Sequence, residues 1–126
     1  MDAVKTIGGM ALTMGLLDAG WLTIRNKYHK NLFEAIQGSP LHVRWLPALL
    51  IYILMPIALY LWAKGTTVQE AASKGALVGF ILYAFYDLTN YATLQGWTLD
   101  MTITDVLWGV LVCTAGAIAG HYLGGG

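Results

Sequence analysis

Apolar residues gather into four long stretches of this chain, and charged residues fall mostly between them. The stretches run from about Val4 to Ile24, from Leu46 to Ala63, from about Ser73 to Leu94, and from Met101 to Leu123. Each is close to the ~20 residues a helix needs to cross a hydrocarbon layer, where the backbone polar groups must be satisfied within the helix itself. The second stretch is the purest, with no charge between Leu46 and Ala63 and with Trp45 and Trp62 at its flanks. The separation of those tryptophans corresponds to a helix rise of roughly 25 Å, which suits the two interfacial belts of a bilayer. Pro56 sits in its middle and is expected to kink it. The pattern predicts an all-α polytopic membrane protein, a four-transmembrane-helix bundle forming a single domain over residues 1–126.

The connections are unequal. Arg25 to Trp45 is the longest and carries Lys27, His29, Lys30, Glu34, His42 and Arg44. Within it Leu32, Phe33 and Ile36 recur at helical spacing, so Asn31 to Gln37 is expected to form a short interfacial helix in the first loop, ended by Gly38, Ser39 and Pro40. Lys64 to Ala72 is a short polar link, and Gln95 to Asp100 holds no lysine or arginine. The membrane face holding the first and third loops, side B, collects Arg25, Lys27, Lys30 and Arg44; side A collects Lys5, Lys64 and Lys74. This small excess of basic residues points side B to the cytoplasm and leaves insertion in both orientations open.

Composition agrees with lipid as the solvent. Of 126 residues, 57% are hydrophobic and only 11% charged, with a mean hydropathy of +0.60. A soluble domain carries about a quarter charged residues. The formal net charge is zero, so nothing suggests a nucleic-acid partner. Cys113 is the single cysteine, which rules out an intramolecular disulfide. Met1 to Lys5 leads into a long apolar segment with no small-residue cleavage site, so a retained first helix is expected rather than a signal peptide. The terminal Gly124, Gly125 and Gly126 are expected to be either an added remnant or a native frayed tail. The expected location is a membrane crossed several times, the plasma membrane or, in a bacterium, the inner membrane.

Three ionisable residues lie inside the stretches: Asp18, Asp87 and Asp105. Intramembrane acids are costly, face bundle interiors or wet cavities, and mark candidate functional sites. Counted from the helix ends, all three fall roughly 7 to 14 Å below side B. One carboxyl from each of three helices is thus expected in one layer. Gly8, Ala11, Gly15 and Asp18 share a stripe on the first helix, and Asp105, Gly109, Gly116 and Gly120 share one on the fourth. Such small-residue faces are expected to be buried against other helices, as are Gly75 and Gly79. On the third helix Tyr83, Asp87 and Asn90 lie on one face with Tyr86 and Thr93 beside them, which offers a carboxyl several hydrogen-bonding partners. Trp21 and Trp108 each follow an aspartate by one turn on helices of opposite direction, so the repeated spacing is not an internal duplication.

Tyr86-Asp87-Leu88-Thr89-Asn90, then Ala92-Thr93-Leu94 and Gly96-Trp97, then Asp105-x-x-Trp108-Gly109, resemble the signature of the uncharacterised membrane protein family known as domain of unknown function 2177. Asp18 and Trp21 also fit its pattern, and the resemblance covers nearly the whole chain. It implies a small four-helix membrane protein, mostly bacterial, and supplies no activity, substrate or catalytic residue.

Three functional readings remain open at the level of sequence. In the first, the chain serves small-solute or ion transport or permeation, with protons as one coupling ion. Asp87 is then the central group, Asp18 and Asp105 are its partners, and Asn90, Tyr83, Tyr86, Trp21 and Trp108 complete the polar layer. A homo-oligomer in the lipid bilayer is expected, with that layer lining a path between subunits. In the second reading, the chain is a membrane-embedded lipid-modifying enzyme, with the carboxylates and Asn90 around a hard cation such as magnesium and His29 or His42 as acid or base. In the third, the aspartates only fix helix register, at about 1 kcal/mol per polar contact. Whether the chain is an enzyme is left open, and no cofactor, metal ligand or catalytic residue is assigned. His29, His42 and His121 do not share a depth suited to haem, no intramembrane lysine offers a Schiff base, and no phosphate loop or serine–histidine motif is present.

Overall fold

The structure is a computed structural model that describes residues 2–124; of the positions discussed above, Met1, Gly125 and Gly126 lie outside the described residues. Four helices follow one another: α1 (Asp2–Gln37), α2 (Trp45–Trp62), α3 (Val68–Thr93) and α4 (Leu99–Leu123), with no strand among the described residues. Three of them, α1, α2 and α4, are long and apolar enough to cross a membrane. With 26 residues, α3 rises about 39 Å and has the length, while Glu70, Lys74, Asp87 and Asn90 lower its hydropathy.

The helix ends follow local chemistry. The Thr67 hydroxyl accepts from the Glu70 amide (3.1 Å) at the start of α3, and the Thr98 hydroxyl accepts from the Met101 amide (3.0 Å) at the start of α4. Each supplies an acceptor to an amide that has no partner within the first turn. α2 continues through Pro56, which is fully buried.

The segment Asn31 to Gln37 is helical, but as the last turns of α1 rather than as a separate element. At 36 residues, α1 rises about 54 Å and so outruns the ~30 Å hydrocarbon layer. No glycine or proline lies between Trp21 and Gln37, so nothing in the backbone breaks the helix at the membrane surface. Packing then supports the extension. Tyr28 shares a hydrogen bond with Thr98, the Phe33 ring meets Trp97 edge-on at 5.5 Å, and Ile36 covers Gly96. The helix stops at Gly38, whose φ of +72° suits a residue without a Cβ.

α4 is the hub. α3 packs antiparallel against it through glycines: a methyl group at Gly75 would strike Ala117 and the Cys113 carbonyl, and one at Gly79 would strike the Gly109 carbonyl. α1 lies antiparallel along another side of α4, with Met10 over Gly120 and Met14 over Gly116. Leu59 of α2 also reaches Gly116. The core therefore joins Met10, Met14, Leu59, Val112, Cys113 and Ala117. Large apolar side chains such as Leu16, Leu54, Phe85 and Leu107 point outwards. Small residues and methionines inside with leucines and phenylalanines outside is the arrangement lipid favours, because close backbone approach drives association there.

The glycines of one expected stripe do not pack, although Asp18 on the same stripe does. Gly8 is exposed, and a methyl group at Gly8 or Gly15 would meet open space. α1 turns Thr6, Met10 and Met14 to the bundle instead. Where α4 supplies glycines, the facing helix needs large side chains, and the two methionines fill those grooves.

Candidate functional site

The antiparallel register of α1 and α4 sets Asp18 opposite Trp108. The Trp108 indole N–H donates to Asp18 Oδ1 at 2.6 Å, and the Tyr52 hydroxyl of α2 donates to Oδ2 at 2.8 Å. Asp18 thereby joins three helices. Trp21, one turn further along α1, stacks on Trp108 with ring centroids 4.8 Å apart and planes within 7°. The Arg25 guanidinium then lies over Trp21 at 5.7 Å and over Tyr28 at 4.2 Å. It also donates to Asp100 Oδ2 at 3.1 Å and to the Thr104 hydroxyl at 3.2 Å. Its charge is thus matched at the side B surface by an acid of α4.

Asp105 sits one turn nearer side B than Trp108. Asp87 of α3 is fully buried, and neither of its carboxyl oxygens has a donor. Tyr83 lies on Gly109, so one turn further along α3 Asp87 comes beside the turn of α4 that carries Asp105. Two carboxylates are both acceptors, so a hydrogen bond between them exists only when one holds a proton. Asp18 is held separately from that pair, by Trp108 of α4 and Tyr52 of α2.

Asp18 and Asp105 open on a cleft of about 470 Å³ bounded by α1, α2 and α3 and floored by α4. α2 and α3 are joined at side A by a short link, where Lys74 donates to the Lys64 carbonyl at 2.7 Å. Their side B halves stand apart, with Ile51, Tyr52 and Met55 facing Leu82, Tyr83 and Tyr86 across the gap. Leu22, His29 and Phe33 supply the α1 wall.

Of the residues singled out in the sequence, Asp18, Asp105, Tyr83 and Tyr86 line this cleft. Asp87 stands behind Asp105, while Trp108 and Trp21 brace Asp18. Asn90 lies one turn along α3 and does not line the cleft. His29 lines it with its Nε2 buried and unpartnered, whereas His42 lies in the exposed link before α2. Tyr52 is the residue that sequence reasoning missed. Its signal was a hydroxyl in the middle of an apolar helix whose other tyrosine, Tyr60, lies near the end. Among the described residues no three His, Cys, Asp or Glu side chains gather as a metal site.

A second cavity of about 280 Å³ enters from side A, lined by Thr6, Met10, Leu59, Ala63, Ala117 and His121 among others. Met55 belongs to the first cavity and Leu59 to the second. These residues are one helical turn apart, about 6 Å along α2. Leu59 stands at this turn as a plug, packed in the buried apolar core with Met14 and Val112.

A helical bundle with an apolar exterior, a core of small residues and acids buried near one face is an integral membrane protein. The family described as "Predicted membrane protein (DUF2177)" matches residues 3–122, and the chain belongs to it. No curated protein and no solved structure matches the chain.

Proposed function

We propose that this protein moves a small solute or ion across the membrane, with the Asp87–Asp105 pair as its proton-exchanging group. The observation that carries the reading is a fully buried carboxyl without a donor, placed behind a second carboxyl that opens on a cleft. An unpaired charge in such a place costs several kcal/mol. The pair relieves that cost by holding a proton between its members and releases it when the cleft supplies water or a cation. Asp18 adds a second carboxyl to the lining of the same cleft. Cavities entering from both ends, with one turn of apolar side chains between them, make a path whose closed segment is short.

The membrane in question is the plasma membrane, or the inner membrane of a bacterium. Assembly as a homo-oligomer belongs to the same proposal, because the outward side of α1 at Gly8 and Gly15 leaves room for a second helix. Crosslinking in native membranes tests that part separately.

The direct test is proton flux into liposomes holding the purified protein and a trapped pH dye, driven by a potassium diffusion potential. The wild type should acidify the lumen well above protein-free vesicles. Asp87→Asn, which keeps the volume and can donate to Asp105, should fall to background while eluting and unfolding like the wild type. Absence of flux in the wild type, or full flux in Asp87→Asn, would overturn the proposal. Loss of stability without any change in flux would return the aspartates to a structural role.

A further inference from the structure

We infer that the cleft between α1, α2 and α3 takes a hydrophobic organic cation, an amine, quaternary ammonium or phosphonium carrying apolar groups. The inference rests on the transport reading and names its substrate class. The first support is size and wall chemistry. About 470 Å³ falls in the range of small-molecule pockets, which are mostly apolar with a few polar groups that orient the ligand. Here the apolar wall surrounds two carboxyl groups, Asp18 and Asp105, and three phenol rings, Tyr52, Tyr83 and Tyr86.

The second support is charge. No lysine or arginine lines the cleft, and its basic side chain is His29 alone. The nearby Arg25 is engaged by Asp100 at 3.1 Å and stacked on Trp21 and Tyr28. The cleft therefore carries acid that no fixed cation cancels. Asp87 adds another carboxyl directly behind Asp105, buried and without a donor. In a weakly polar surrounding, a ligand cation gains strongly from such groups, and aromatic faces add to the attraction.

Other ligand classes fit worse. An anion would meet the acids unshielded. A hard metal ion wants about six oxygen ligands, and the described residues gather no such set. A small hydrated ion would have to shed water against walls such as Leu82 and Met55, which offer nothing in return. A cation whose charge is wrapped in hydrocarbon satisfies both the acids and the walls.

The test is equilibrium dialysis of the full chain in detergent against labelled tetraphenylphosphonium, with tetraphenylborate as an anion of the same shape. Saturable binding of the phosphonium with stoichiometric uptake is expected, and only micellar partitioning of the borate. Asp18→Asn and Asp105→Asn should each weaken phosphonium binding by about tenfold or more. Asp105→Glu, which keeps the charge, should retain it and serves as the control should Asp105→Asn fold poorly. Equal uptake of both ions, no saturation, or full affinity in the neutral variants would overturn the inference. Dialysis needs no flux, so the two readings fail separately. Binding without proton movement sinks transport and spares the cation, and proton movement without binding does the reverse.

Discussion

The two flanks of α3 are built differently. Towards α4 its backbone lies almost in contact with its neighbour, because Gly75 and Gly79 face Cys113, Ala117 and Gly109 with no side chain between them. Towards α2 it presents Leu82 and Tyr86 across an open cleft, while the Tyr83 ring between them packs back on Gly109. Helices in lipid gain little from burying apolar surface and associate where backbones approach closely. The glycine seam is therefore where stability should reside. The tyrosine-lined gap can stay open at small cost, which is what a site for a passing ligand requires.

Substitutions on either flank should break or sharpen that contrast. The largest effect is expected at the seam. A Cβ at Gly109 overlaps the Tyr83 ring, so Gly109→Val should cost about 3 kcal/mol through overpacking, read as a lowered unfolding temperature in detergent. An unchanged unfolding temperature would mean the seam is looser than its glycines imply. Next comes the plug, where Leu59→Ala removes a fully buried side chain shared by α1, α2 and α4. About 2 kcal/mol should be lost, and proton leak through liposomes should rise. A loss of stability without leak would show that the plug is packing only.

The cleft side should respond less. Tyr52→Phe removes one donor from Asp18 and leaves that of Trp108. A fall of about 1 kcal/mol is expected, the usual scale of a hydrogen bond between membrane helices. A much larger fall would mark Tyr52 as a strut that holds α2 in place. The smallest change is expected at Gly15, where added atoms enter open space. Gly15→Val should shift the stability of the monomer by no more than about 0.5 kcal/mol, as surface substitutions do. Should it abolish crosslinked oligomers instead, the outward face of α1 would be a contact between copies.

Much of this was legible in the chain. The four helices follow from hydropathy, since solvent preference is a local property of the chain. The glycines of α3 and α4 read correctly as close-approach positions. The stripe of α1 misled because spacing shows which residues share a face and not which face meets a partner. Methionine suits a groove left by glycine, and nothing in the α1 sequence alone reveals that Gly116 and Gly120 wait opposite. The length of α1 was misread for a related reason. Hydropathy ends at Ile24, yet no backbone breaker appears until Gly38, so Asp18, Leu22, His29 and Phe33 lie on one continuous helix and face one cleft.

The sequence by itself determined that this is a membrane protein of four helices with three costly acids, because solvent preference and burial cost belong to individual residues. The tertiary structure alone decided how those acids are arranged. Helix register brought Asp87 beside the turn of α4 that carries Asp105 and set Asp18 on Trp108, and the divergence of α2 from α3 opened the cleft that brings Tyr52 and His29 to them. These depend on contacts between residues far apart in the chain, whose energies appear only once the helices have met.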